Sequence, residues 1–324
     1  MPENVSYIHT GKLIRFQGGN LPDTFGYQAS DKWLVLGLED WTSLKFRAIN
    51  LESIQGEVDL NRESSISTVS VNVPPGWTNP VFRIDGDTVI AATKTKGSDM
   101  TRIALVRLDT GTQSEEYDMV RNLTIPVGID GDTLYLDIAG ISIEGVNLKT
   151  WARIFFTEMI DGSAHPEVTH ENLPTRHLGR TYDGKRAIVN KFFNYNTGEV
   201  ISEVASVPDR QVYLRISGDV VKYKITEDGI FYKLAGGKEY YYSSFYGQEY
   251  LVKLDHKHVS FSGTYTREEV NVSAPSIAAV SNDGNSIWVE YRSNYGRVYL
   301  VNYERVCHYQ KSATSAIELC SSPV

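Results

Sequence analysis

The chain has 324 residues, 41% of them hydrophobic and 22% charged, a globular composition that excludes bulk disorder and leaves room for a sizeable core. A balance of 32 basic against 40 acidic side chains gives a net charge of −8, which argues against a duplex nucleic-acid binder. Two cysteines leave little room for a thiolate metal cage or a disulfide scaffold.

The N-terminus, Met1 to Thr10, has no basic segment followed by an apolar run, so no secretory signal is expected. No apolar stretch is long enough for a spanning helix. The expected location is the cytoplasm, or a virion-like particle that leaves the cell by assembly or lysis. Lys12-Leu13-Ile14-Arg15-Phe16 reads as a strand.

A short unit then recurs: an apolar or aromatic residue, Asp-Gly or a relative, and a β-rich run. A degenerate copy is Ser30-Asp31-Lys32-Trp33-Leu34-Val35-Leu36. The clear copies are Ile84-Asp85-Gly86-Asp87-Thr88-Val89-Ile90 and Ile129-Asp130-Gly131-Asp132-Thr133-Leu134-Tyr135. Weaker ones begin at Tyr182-Asp183-Gly184, Glu227-Asp228-Gly229 and Asn282-Asp283-Gly284. Asp-Gly supplies the positive φ that a tight hairpin needs, so each copy predicts a turn leading into a strand. Gly86 and Gly131 are expected at equivalent positions, at positive φ.

A second unit follows each first one, an alternating strand closing in Asp or Asn, at best with Thr-Gly. Leu105-Val106-Arg107-Leu108-Asp109-Thr110-Gly111 and Phe193-Asn194-Tyr195-Asn196-Thr197-Gly198 are the clear copies. Looser copies end at Asn50, Leu148, Asp255 and Tyr303. Alternation of apolar and polar residues marks strands with one buried face. Glu115–Val120 and Thr266–Val270 are the only helical turns predicted, and neither is long enough to matter.

The markers at 32, 86, 131, 184, 229 and 284 are 54, 45, 53, 45 and 55 residues apart. A four-stranded antiparallel blade takes roughly 40–50 residues. The repeat resembles that of the β-propeller superfamily in general, over almost the whole chain. It lacks the Trp-Asp signature of WD repeats. The sialidase-type box is only approached, at Ser281 to Trp288. The resemblance implies an all-β ring, because radial closure leaves only short protected edges. Six blades fit the length, with seven as the alternative. Ile216-Ser217-Gly218-Asp219-Val220 is the extra copy, but it lies too close to Gly229 for a blade of its own. A single domain over 1–324 is expected, with a short C-terminal tail from about Arg305. The N-terminal segment is expected to complete the last blade, with Arg305–Tyr309 as a candidate closing strand.

Chemistry is sparse in this pattern. His165, His170 and His177 are spaced by five and seven, which suits neither a helix nor a strand metal site. His256 and His258 share a strand face but lack a third ligand nearby. No metal and no cofactor is expected. Gly179 to Lys185 fits a phosphate-loop pattern, yet Arg186 replaces the hydroxyl residue and a strand follows. The Asp85/Asp87 and Asp130/Asp132 pairs recur, and a recurring position serves structure, since a ring holds substrate once. Glu39, Asp40 and Glu249 do not recur and lie near aromatics. Cys307 and Cys320 read as free thiols, with a tail-pinning disulfide as the alternative.

Tyrosines number 20, against 11 phenylalanines and 5 tryptophans. Tyr240-Tyr241-Tyr242, Phe245, Tyr246 and Tyr250 crowd one predicted hairpin, with Tyr240 and Tyr242 on one face and Tyr241 on the other. Two readings stand: inter-blade packing, or a protein or glycan contact surface. Tyr241, Tyr246 and Tyr250, with Trp77 on the Pro-rich loop and Trp41 beside Glu39-Asp40, are the candidate binding residues. The function expected is a non-enzymatic interaction or structural module, bound to another protein or assembly subunit such as a phage virion or tail. The alternatives are a glycan hydrolase or lyase with carboxylates at the central channel, and a lectin. The lectin is disfavoured by irregular tryptophan spacing.

Overall fold

The computed structural model describes residues 3–17, 24–39, 44–60, 69–73, 77–95, 101–112, 117–119, 124–138, 142–158, 175–182, 187–206, 212–226, 229–243, 247–254, 275–293, 296–306, 309–311 and 316–318. The chain opens with the long strand β1 (Glu3–Gln17). Blade one is β2 (Thr24–Ala29), β3 (Trp33–Glu39), β4 (Leu44–Asn50) and, after the short β5 (Glu57–Asp59), β6 (Val69–Val73). Blade two is β7 (Trp77–Asp85), β8 (Thr88–Thr95), β9 (Thr101–Arg107) and β10 (Tyr117–Met119). The helical turn predicted around Glu115–Val120 is therefore corrected to a strand, because Tyr117–Met119 finds a partner in β9. Blade three is β11 (Thr124–Asp130), β12 (Thr133–Ile138), β13 (Ser142–Asn147) and β14 (Arg153–Glu158). Blade four is β15 (Thr175–Tyr182), β16 (Ala187–Asn194), β17 (Val200–Ser206) and β18 (Val212–Ser217). Blade five is β19 (Val220–Ile225), β20 (Gly229–Leu234), β21 (Glu239–Ser243) and β22 (Gln248–Leu254).

Blade six is β23 (Ser276–Val280), β24 (Ser286–Arg292) and β25 (Arg297–Val306), and its fourth strand comes from the other end of the chain. β1 lies antiparallel to β25 from Ser6↔Val306 to Gln17↔Arg297. Its first residues also run parallel to β22, Glu3↔Tyr250 to Tyr7↔Leu254. The fold is thus an all-β propeller closed by its terminal strand. β1 joins the last two blades into one continuous sheet. Arg305 and Val306 belong to β25, and a separate hairpin of β26 (Tyr309–Lys311) and β27 (Ala316–Glu318) follows.

The period of two places each strand's side chains in two different interfaces. On β3, Trp33 and Val35 pack with Phe82, Val89 and Val106 of blade two. Leu34 and Leu36 pack with Trp288 and Leu300 of blade six. On β8, Val89 and Ala91 face blade one, while Ile90 and Ala92 pack with Leu134 and Leu136 of blade three. The middle strands are buried on both faces, which explains their nearly continuous apolar runs.

The turns carry the repeat. Asp85↔Thr88 and Asp130↔Thr133 are paired, so the two-residue loops are Gly86-Asp87 and Gly131-Asp132. Gly86 is at φ 56° and Gly131 at φ 54°, as the sequence predicts. Glycine is the first central residue and only it has positive φ, the pattern of a II′ turn. Leu108 N–H donates to Asp87 O (2.7 Å) and Leu148 N–H to Asp132 O (2.8 Å), tying the second unit of each blade to the first. Gly111 and Gly198 take positive φ in two of the second units, and Trp151, at φ 57°, takes it in blade three. The Asp31 and Asp283 turns precede β3 and β24 as expected, whereas Asp183 and Asp228 lie outside the described residues.

Candidate functional site

Two of the recurring carboxylates, Asp85 and Asp87, hold blades together. Asp87 Oδ1 accepts from Trp33 Nε1–H (2.7 Å) across the first interface and pairs with Lys32 Nζ at 2.9 Å. These two contacts, the indole first, hold the Asp87 carboxyl below its ordinary range. Asp85 Oδ2 accepts from Ile129 N–H of blade three (2.6 Å). Blade two has Thr88 where blade one has Trp33, so Asp132 turns instead to Lys149 of its own blade, at 2.5 Å.

The tyrosine-rich hairpin belongs to the core, which corrects two of the expected binding residues. Tyr241 is 2% exposed and Tyr250 is fully buried. Tyr241 lies 4.8 Å from Phe231 and 6.3 Å from Tyr250, ring centre to ring centre. The Arg305 guanidinium caps Tyr241 at 4.7 Å, a cation–π contact from blade six. Arg305 also donates to Gly284 O (3.0 Å) and to the Tyr7 hydroxyl (3.2 Å). Tyr241 and Tyr250 are packed rather than presented as a contact surface: both lie in the cluster shared with blade six, while Tyr240 and Tyr242 pack toward blade four. Trp77 opens β7. Tyr246 and Trp41 lie outside the described residues, as do Asp40, His165, His170, His256, His258, Cys307 and Cys320. His177 is on β15, and Gly179–Tyr182 of the phosphate-loop pattern continues that strand. Among the described residues, no group of three or more His, Cys, Asp and Glu side chains is placed to hold a metal.

A cavity of about 340 Å³ opens where β2, β7, β19 and β23 converge, flanked by parts of β20, β21 and β24. Among the described residues, five cationic side chains line it: Arg83, Lys222, Lys224, Lys233 and Arg292. Among the same described residues, two carboxylates do, Glu239 and Glu290. The excess of positive charge runs against the −8 of the whole chain. Lys222 and Lys224 alternate with Tyr223, whose ring is 2% exposed and packs on Val189 and Val204 of blade four. Burying that ring turns the two flanking lysines toward the cavity.

Register completes the arrangement. Lys222 stands directly opposite Lys233, and Lys233 directly opposite Glu239, so one row across three strands reads Lys, Lys, Glu. Glu239 is 9% exposed, and its Oε1 accepts from Ile277 N–H of blade six (2.8 Å). Burial pushes its carboxyl up, against the pull of that hydrogen bond and of Lys233 and Lys222. Glu290 is engaged by Arg292. Tyr232, also on the cavity wall, donates its hydroxyl to Glu249, and burial holds that phenol well above its ordinary range.

None of these lysines is marked by a sequence motif. The Lys-Tyr-Lys alternation on a predicted strand is a weak sign, and their meeting with Arg83 and Lys233 depends on cross-strand register.

No protein-family model matches the chain, and no curated protein matches it significantly. Among solved structures it is similar to the WD40 domain of Toxoplasma gondii coronin, at 9% identity and a TM-score of 0.44, over 98% of this chain and 90% of that one. It is similar to BamB from Moraxella catarrhalis at 12% identity and 0.40, over 86% and 84%. A computationally designed protein, Ika8, gives 12% and 0.36, over 87% and 71%. At these identities and scores the likenesses assign neither a family nor a function. Among the described residues no helix is long and apolar enough to cross a membrane.

Proposed function

We propose that this ring is a non-catalytic binding module whose partner is another protein or an assembly subunit, a phage virion or tail being one such assembly. The observation that carries this reading is the commitment of four carboxylates. Asp85, Asp87 and Glu239 each hold a neighbouring blade, and Glu290 is engaged by Arg292. Glycosidases of the usual kind need one carboxylic acid and one carboxylate, both turned to the sugar. A protein partner is supported by exposed apolar side chains on two strands that each end a sheet: Val212 and Tyr213 on β18, Val221 and Ile225 on β19. Tyr213 is 53% and Val221 47% exposed. Replacing this pair by Ser is expected to abolish the complex isolated from the source cell while leaving the melting temperature unchanged. Survival of the complex, or a lowered melting temperature without loss of association, refutes the surface.

One observation favours the glycan-hydrolase reading. Glu239 is a buried carboxyl with a raised pKa on a cavity wall, the profile of a general acid. The deciding assay is turnover on a polysaccharide panel, expected to be nil. Turnover removed by Glu239→Gln establishes the enzyme instead.

A further inference from the structure

We propose that the central cavity binds a compact oxyanion carrying two or more negative charges, held by Lys222, Lys224 and Lys233 of blade five and Arg83 of blade two. This inference concerns a small ligand and does not depend on the protein partner proposed above.

Three features support it. First, like charges directly opposite each other on neighbouring strands are destabilising. Lys222 and Lys233 occupy such a pair, and the third member of their row is Glu239. That carboxylate is already hydrogen-bonded to the Ile277 N–H. An anion placed between the two ammonium groups is attracted by both. Secondly, the cations converge from different blades. Lys224 lies two residues along β19, and Arg83 comes from β7. A solvated lysine face on a single strand needs no such convergence. A cleft lined by an excess of one sign of charge focuses the field and raises the local anion concentration. Thirdly, the size is restrictive. About 340 Å³ is at the small end of ligand cavities and suits a diphosphate or a tricarboxylate.

Phosphate and carboxylate ligands share this chemistry, and two probes separate them. The full chain is titrated by calorimetry with pyrophosphate and, separately, with citrate, at constant ionic strength set by sodium chloride. Saturable one-site binding to at least one probe is expected. Lys222→Gln and Lys233→Gln are each expected to weaken it about tenfold, the loss of one hydrogen bond from a charged donor. Glu239→Gln is expected to act in the opposite direction, tightening it by removing the competing negative charge. This reversal of sign separates a binding site from a structural lysine cluster, and circular dichroism verifies that each variant is folded. Binding of pyrophosphate alone identifies a phosphate site, and of citrate alone a carboxylate site. The proposal is overturned if neither probe saturates, if all variants bind alike, or if only an acidic peptide such as hexaglutamate binds.

Discussion

Blades two and five share a four-stranded meander and place their marker glycines in opposite surroundings. Gly86 stands at φ 56° with no atom within 4 Å of where a Cβ would lie. Gly229 belongs to β20 rather than to the turn, and a Cβ there would lie 2.0 Å from the Tyr242 carbonyl oxygen and 2.7 Å from Tyr241 Cε2. The first glycine is needed for backbone conformation, the second for close approach. The carboxylates differ in the same way. Asp85 and Asp87 face outward to neighbouring blades, whereas blade five turns Lys222, Lys224 and Lys233 into the central cavity. A position that recurs from blade to blade serves the ring, and the blade that departs from the pattern carries the site.

The largest effects should come from blade five. Gly229→Ala is expected to destabilise by about 3 kcal/mol or more, because the clash is with backbone and cannot be relieved by a rotamer change. Urea denaturation measures it, and a near-neutral result would show that β20 and β21 are not in this contact. Tyr241→Ala should cost about 3–5 kcal/mol, since it empties a packed aromatic site and removes the ring under the Arg305 guanidinium. A thermal melt left unchanged by this substitution would return Tyr241 to the surface.

Blade two should give smaller changes. Trp33→Phe keeps the packing and removes the indole donor, at a cost of about 1–2 kcal/mol. The depressed Asp87 carboxyl adds a pH signature. Its contribution is present above the unfolded-state value of about 3.9 and is lost as pH falls through the lower folded value, so the difference between wild type and Trp33→Phe should shrink on acidification. A difference constant from neutral pH down to about pH 2 would remove Asp87 from the account. The smallest effect is expected at Gly86→Ala, about 1 kcal/mol from the left-handed conformation alone, because nothing crowds the position. The ratio of the Gly229→Ala to the Gly86→Ala effect is the sharpest single measure of the contrast between the two blades.

The junction of blades four and five marks a limit of the repeat. Ile216 to Val220 copies the turn motif, but Gly218 and Asp219 join two different sheets. Two residues reach only about 11 Å, so β18 and β19 must begin and end close together. Ser202 fastens the link, its hydroxyl donating to Gly218 O (2.7 Å) and accepting from Val220 N–H (3.0 Å). Lys191 pairs with Asp219 at 2.6 Å. A similar local sequence therefore makes a hairpin in blade two and a crossing between sheets here, according to which strand lies alongside.

Local information sufficed for much of the ring. The turns at Gly86 and Gly131, the alternation of the strands and the scarcity of helix follow from residue types at short range, whereas the return of the N-terminal strand to the last blade follows from the closure that the propeller resemblance implies. Positive φ and a period of two are properties of a few consecutive residues. The tyrosine hairpin shows where that information ends. Alternation separated Tyr241 from Tyr240 and Tyr242, but could not tell that both faces of β21 would be covered, because burial depends on what the neighbouring blades present. The cavity was out of reach for the same reason. Lys222, Lys233 and Glu239 form a row only through strand register, and Arg83 is more than a hundred residues away in the chain. Charge convergence is a property of the closed ring, and only tertiary structure decides it.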